Sequence, residues 1–306
     1  MEQIIQSLLH DSNTQWVVLS TMLLGIASGV LGSFALLRKQ SLVGDAVAHA
    51  ALPGICLAFF IIGEKQFLAL IIGATVSGLL AMYLIQLITS TTRLKQDAAI
   101  CLVLSVFFGI GIVLLTKVSQ QSSGNKSGLD DFIFGQAASM TGSDVYLMGG
   151  TAAVLIVTTF ILFKELKLIT FDPEFAKGIG LPLGVLETLF STLLVVTVVI
   201  GIQAVGVILM AALLIIPSMA ARYWTDSLGV MVWISGLIGA ISGVSGTLIS
   251  TLGLGLATGP LIVVSASCMF VVSLIVAPKR GMIAQWTFHK KGIAAKTTGS
   301  YRKEGA

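Results

Sequence analysis

Nine apolar runs of membrane-crossing length constrain this chain more than any other feature. They are Trp16–Leu37, Ala46–Ile62, Phe67–Thr89, Ala98–Leu115, Val145–Phe163, Leu183–Ile200, Ala204–Ala221, Leu228–Ile249 and Leu256–Ala277. Each is near the roughly 17 to 25 residues that carry a helix across a hydrocarbon core. His49 and Glu187 are the only Asp, Glu, His, Lys or Arg residues inside them. Backbone in lipid must satisfy its own hydrogen bonds, so such runs read as helices. The expected fold is therefore an all-α polytopic membrane helix bundle. Composition agrees: 10% of the 306 residues are charged, against about 25% in a soluble domain. The first run follows a polar stretch without a basic n-region, and is expected to be a retained span rather than a cleaved signal peptide.

The break between the sixth and seventh runs, at Gly201, Ile202 and Gln203, is weak, so about nine transmembrane helices are expected with eight as the alternative. Basic residues favour nine. With nine spans and the N-terminus outside, fifteen of the eighteen Lys and Arg residues fall on the inner side, leaving Lys65, Lys117 and Lys126 outside, the bias that cytoplasmic loops carry. One bent span over 183–221 would put the Lys164–Lys177 loop and the basic C-terminal segment on opposite faces. The net charge of +4 then reports topology and contact with anionic lipid, not nucleic acid. Cys56, Cys101 and Cys268 lie within spans without C-x-x-C spacing, and read as packing residues. Glycines at small-xxx-small spacing, such as Gly25/Gly29 and Gly239/Gly243, read as close helix contacts.

Asp45 and His49 stand in the apolar stretch Ser41–Gly54, four residues apart. On a helix this spacing puts both side chains on one face about one turn apart. Ionisable groups within hydrocarbon are costly and typically face the protein interior or a pathway. A carboxylate and an imidazole together make a plausible partial ligand set for a divalent transition metal. Two ligands are too few for a structural site, and a weak, incomplete site is what transit requires. A hydrogen-bonded pair that fixes helix register, or a proton relay, would use the same residues.

The segment 164–182 is the longest inner connection. Asp172 can cap a short helix with Pro173 and Glu174 in its first turn, ended by Gly178 or Gly180. Phe171, Phe175 and Ile179 would form an apolar stripe at helical spacing, which a docked soluble partner or the headgroup layer would cover. Glu187 is expected to pair with a basic residue or to snorkel to the inner interface rather than to line a path. No G-x-x-x-x-G-K-[ST] loop occurs, nor any Gly-Lys dipeptide, so the chain does not supply its own phosphate loop for ATP.

The stretch Ser41–Gly54, the segment Thr170–Gly178 and the run Val205–Pro217 together resemble the membrane permeases of bacterial ABC importers for manganese, zinc and iron. The resemblance extends over essentially the whole chain. It implies a fold similar to the vitamin B12 and siderophore importers, with a permease domain over 1–284 and a polar cytoplasmic tail over 285–306. It implies that Asp45 and His49 line the metal path. It also implies that Phe171, Asp172, Pro173, Glu174, Phe175, Ala176 and Gly178 lie in the segment that couples to the ATPase. The implied partners are cytoplasmic ABC ATPase subunits, an extracellular solute-binding protein and a second permease copy in a homodimer, in the bacterial plasma membrane. No cofactor is expected on this chain; ATP belongs to the partner subunit, and the divalent metal is the cargo. One oxygen and one nitrogen ligand favour manganese, with zinc or iron as alternatives. Asp130, Asp131 and Asp144, in the external connection 117–144, are candidates for the binding-protein dock. The competing classes are a proton-coupled secondary metal transporter, which needs no ATPase, and an intramembrane hydrolase. The depth of Asp45 stays open: a simple positive-inside reading puts it near the inner interface, whereas a turn within the membrane over 38–45, which the resemblance allows, would lift it away.

Overall fold

A computed structural model describes residues 12–63, 66–121, 142–251 and 257–283. Among them run eleven helices: α1 (Ser12–Leu37), α2 (Val43–Ile62), α3 (Phe67–Thr91), α4 (Gln96–Gln121), α5 (Gly142–Ile161), α6 (Phe163–Phe171), α7 (Pro173–Gly178), α8 (Leu183–Val205), α9 (Val207–Trp224), α10 (Leu228–Thr251) and α11 (Thr258–Val276). Eight of these are long and apolar enough to cross a membrane, and α9 is a shorter ninth. The tail 285–306, Asp130 and Asp131 lie outside the described residues.

The weak break becomes a reversal. Gly206 takes φ +94°, a conformation that a residue without Cβ adopts at little cost, and the helix ladder stops there. Val205 at the end of α8 packs on Gly259 at the start of α11. At the other end of α11, Tyr223 of α9 stacks edge-on against Phe270, with centroids 5.8 Å apart, and Asp226 pairs with Lys279 and Arg280. Helices α8 and α9 therefore run in opposite directions, so that among the described residues the short α9 is a separate pass through the bundle beside the eight helices of span length. Arg38, Lys39, Arg93, Lys95, Lys164, Lys167, Lys177, Arg222, Lys279 and Arg280 lie together at one end of the bundle, its basic end. Lys117 lies towards the opposite end.

Small residues set the central contact. A Cβ on Gly25 would collide with the Gly239 carbonyl, one on Gly243 with the Thr21 carbonyl, and one on Gly29 with the Ser235 carbonyl, so α1 and α10 touch backbone to backbone. In lipid, where no hydrophobic force drives helices together, such close packing and interhelical hydrogen bonds hold the pair. Ser218 of α9 and Ser235 of α10 both donate to the Gly29 carbonyl, at 3.2 and 2.7 Å, and the Thr21 and Thr247 hydroxyls lie 3.0 Å apart. Near the basic end a second cluster forms around Phe34, which is fully buried. Phe34 meets the rings of Phe163 on α6 and Phe190 on α8, with centroids 5.8 and 6.5 Å apart.

Candidate functional site

Helix α2 starts inside the bundle. Between α1 and α2 the chain turns over Arg38–Leu42, with Lys39 at φ +58°, the Gln40 amide donating to the Ala35 carbonyl (2.8 Å) and the Lys39 amide to the Leu36 carbonyl (3.1 Å). This is the crossed hydrogen-bond pair of a helix end closed by a left-handed residue. Arg38 tucks under the turn, with 12% of its side chain exposed. It bonds Glu187 of α8 at 3.3 Å and lies 5.0 Å from the centre of the Phe190 ring.

The first turns of α2 sit at half-height. Val47 and Val195 both flank Gly78, and His49 meets Phe108 edge-on, with centroids 4.8 Å apart. Gly78, Val195 and Phe108 are near the middles of α3, α8 and α4. Of the two depths the sequence left open for Asp45, the bundle has the deeper one: because α1 turns back early, Asp45 and His49 lie near the centre of the bundle's height. Irregular backbone at such depth is tolerated where protein rather than lipid surrounds it.

Around this stretch α2 is buried at Val43, Gly44, Ala46, Val47, Ala48 and Ala50. Asp45 and His49 are the exceptions, with 39% and 20% of their side chains exposed. Together with Leu42 they form one open stripe on the otherwise enclosed first turns of α2, whose far end is exposed at Leu57, Phe60, Ile61 and Ile62. His49 Nε2 lies 3.4 Å from Asp45 Oδ1. One cation with bonds of about 2.1 Å fits between two atoms so spaced. His49 Nδ1 is shielded and has no hydrogen-bond partner among the described residues. No group of three or more His, Cys, Asp or Glu residues that could hold a metal occurs among them, so the pair offers two protein ligands and leaves the remaining positions open. Open coordination is the chemistry of a cation that binds and leaves.

The segment at the basic end folds as two short helices. Asp172 accepts a hydrogen bond from the Phe175 amide at 2.9 Å and caps α7, with Pro173 at the first helical position. Gly180, at φ +84°, closes the helix, the Leu181 amide donating to the Ala176 carbonyl and the Gly180 amide to the Lys177 carbonyl, both at 3.1 Å; left-handed closure of this kind favours glycine. Ala176 is fully buried against the Phe34 cluster, which anchors α7 to the bundle. Phe171, Phe175 and Ile179 are 58%, 56% and 57% exposed. They do not share one helix: Phe171 ends α6, Phe175 is in α7 and Ile179 follows it. Pro173, Glu174 and Gly178 line a shallow hollow beside them.

Phe108 and Arg38 escaped the reading of the sequence. Phe108 looks like one more apolar residue of a span, and only its registry against His49 distinguishes it. Arg38 counted as a topological charge, although the lone carboxylate of Glu187 within a span was the signal for its partner. Asp144 is at the start of α5, apart from the half-height pair.

The chain matches the ABC 3 transport family over residues 10–277. It is 56% identical over 277 residues to the manganese transport system membrane protein MntC of Bacillus subtilis, an alignment covering 90% of this chain and 64% of that protein, so the chain spans just under two thirds of that relative's length. It is 44% identical to the zinc transport system membrane protein TroC of Treponema pallidum, over 92% of this chain and 94% of that protein. Its fold superimposes on PsaBC from Streptococcus pneumoniae, solved in complex with Fab, with a TM-score of 0.79 and 33% identity, covering 91% of this chain and 97% of that one. A match across almost the whole chain, joined to a bundle of antiparallel apolar helices, identifies this protein as a membrane permease of the ABC 3 transport family.

Proposed function

We propose that this chain is the membrane-spanning permease of an ATP-driven importer that carries a divalent transition metal, manganese first, into the cell by alternating access. The observation that carries the reading is the half-height Asp45/His49 pair, open among the buried first turns of α2, in a chain 56% identical to a manganese transport protein. The basic end is the cytoplasmic one in this reading, which the Lys and Arg bias supports, with the N-terminus outside and the C-terminus inside. Two permease copies each contribute one Asp45/His49 pair to a shared constriction. A solute-binding protein delivers the metal at the far face. ABC ATPase subunits seat on α7 through Phe171, Phe175 and the capped turn from Asp172 to Gly178. ATP-driven closure of those subunits moves α7, and the buried Ala176 passes the movement into the Phe34 cluster. Coupling of this kind must come from differential binding of the partners to the two states.

Zinc is the second reading, supported by 44% identity to a zinc transport protein along nearly its full length. The test is accumulation of manganese, zinc and iron in importer-deficient cells that express the chain with its ATPase and binding protein. Manganese should rise above the other two, and an inactive ATPase should abolish the rise. Preferential zinc or iron accumulation would reassign the cargo. Uptake indifferent to ATPase inactivation would point to a secondary transporter.

A further inference from the structure

On the side of the bundle away from Asp45 and His49, α5 and α10 present apolar stripes outward: Val154, Val157 and Ile161 on one, Val230, Trp233 and Leu237 on the other, each at least half exposed. Such stripes face lipid in a membrane protein. At their basic end, where the spans give way to the connections, the stripes flank a hollow of about 530 Å³. Phe160 and Trp233 form an aromatic wall, their centroids 5.3 Å apart. Gly229 leaves a gap in the rim, with nothing within 4 Å of where its side chain would stand. Lys164 and Glu165, in the first turn of α6, line the same hollow. Neither has an ion pair among the described residues, and Glu165 Oε2 is shielded without a hydrogen-bond partner.

A tryptophan, a lysine and an apolar trough at the level of the span ends have the make-up of a lipid headgroup contact. The paired charges narrow the headgroup. A phosphate answers Lys164, and an ammonium that can donate hydrogen bonds answers Glu165. An anionic glycerol headgroup would leave Glu165 without a cation and repel it, and a quaternary ammonium has no hydrogen to donate. We propose that this hollow seats one phosphatidylethanolamine of the adjoining leaflet, its phosphate on Lys164, its amine on Glu165 and an acyl chain along Phe160 and Trp233. A lipid held there touches α6, which leads directly into α7, so its occupancy bears on the element that faces the ATPase.

The experiment is native mass spectrometry of the full-length permease with its ATPase, exchanged into micelles containing equal amounts of phosphatidylethanolamine, phosphatidylcholine and phosphatidylglycerol. Wild type should retain phosphatidylethanolamine about fivefold over phosphatidylglycerol, the factor of one exposed ion pair, and about fivefold over phosphatidylcholine, the factor of one hydrogen bond. Glu165→Gln should erase the preference over phosphatidylcholine. Gly229→Phe should fill the hollow and remove the retained lipid at unchanged apparent Tm, because a Cβ at this position meets nothing within 4 Å and the ring enters open space. Equal retention of the three lipids, no retention at all, or a preference that survives both substitutions would overturn the proposal, as would a preference for phosphatidylglycerol.

Discussion

Asp45 and His49 differ from their neighbours on α2 in one respect: they are the polar side chains the packing leaves open. Phe108 holds the imidazole from the side, ring edge against ring face, a contact of about 0.5 to 1.5 kcal/mol beyond area burial. Phe108→Leu keeps the site apolar but frees the ring, and should lower the apparent metal affinity of transport roughly two- to tenfold at unchanged protein level, measured as the KM of manganese uptake. An unchanged KM would show that His49 needs no such positioning. A different physics governs Gly239. Its Cβ would meet the Gly25 backbone, which cannot swing aside as a side chain can, so Gly239→Leu should separate α1 from α10 and deplete folded protein in the membrane, read by size-exclusion chromatography. The Asp45/His49 pair was legible as a sequence because ionisable groups are rare in hydrocarbon. Its depth was not, since depth depends on where α1 turns, and the Lys39 turn lacks the glycine that would have announced it.

Among the elements, α7 was the most legible. Asp172 and Pro173 announce a helix start by chemistry local to the chain, and both stand where the spacing puts them. The preceding helix α6 went unread because Phe163–Phe171 is short and mixed in polarity, and its fold rests on Leu166 and Ile169 entering the Phe34 cluster. Asp172→Ala removes the cap and should cost α7 about 1 kcal/mol, read as faster hydrogen exchange at the Phe175 amide; an unaltered rate would show that packing of Ala176 alone holds the helix. At the other connection on this end, the hydrogen bond from Lys279 and the nearby Arg280 charge hold the Asp226 carboxyl below its usual range. A depressed carboxylate lends stability above its ordinary pKa and loses it as pH falls through the folded-state value. The Tm difference between wild type and Asp226→Asn should therefore be present at neutral pH and close only in acid below the ordinary carboxylate range. A difference that persists at low pH would mean that the clamp is not ionic.

For the whole molecule, the reversal at Gly206 decides which faces the connections reach. Hydrophobic runs alone left eight and nine spans open, since a glycine in an apolar stretch marks a kink or a turn equally well; the charge distribution favoured the turn, and the packing of α11 against the ends of α8 and α9 supplies the geometry. In a background with Cys56, Cys101 and Cys268 replaced, single cysteines at Lys177 and Ser227 should be labelled from the same side of the membrane, and one at Lys117 from the other. Labelling of Lys177 and Ser227 from opposite sides would restore one bent span. The same architecture sets the half-height pair midway between the two ends of the bundle, where the proposed metal path would cross it. The decisive measurement is manganese entry into proteoliposomes holding the permease with its ATPase and binding protein, for wild type, Asp45→Ala and His49→Ala. The account predicts ATP-dependent entry that drops at least about tenfold, the factor of roughly 1.4 kcal/mol, in each variant while ATPase assembly stays intact. Undiminished entry in both variants would contradict it and reduce Asp45 and His49 to a structural pair.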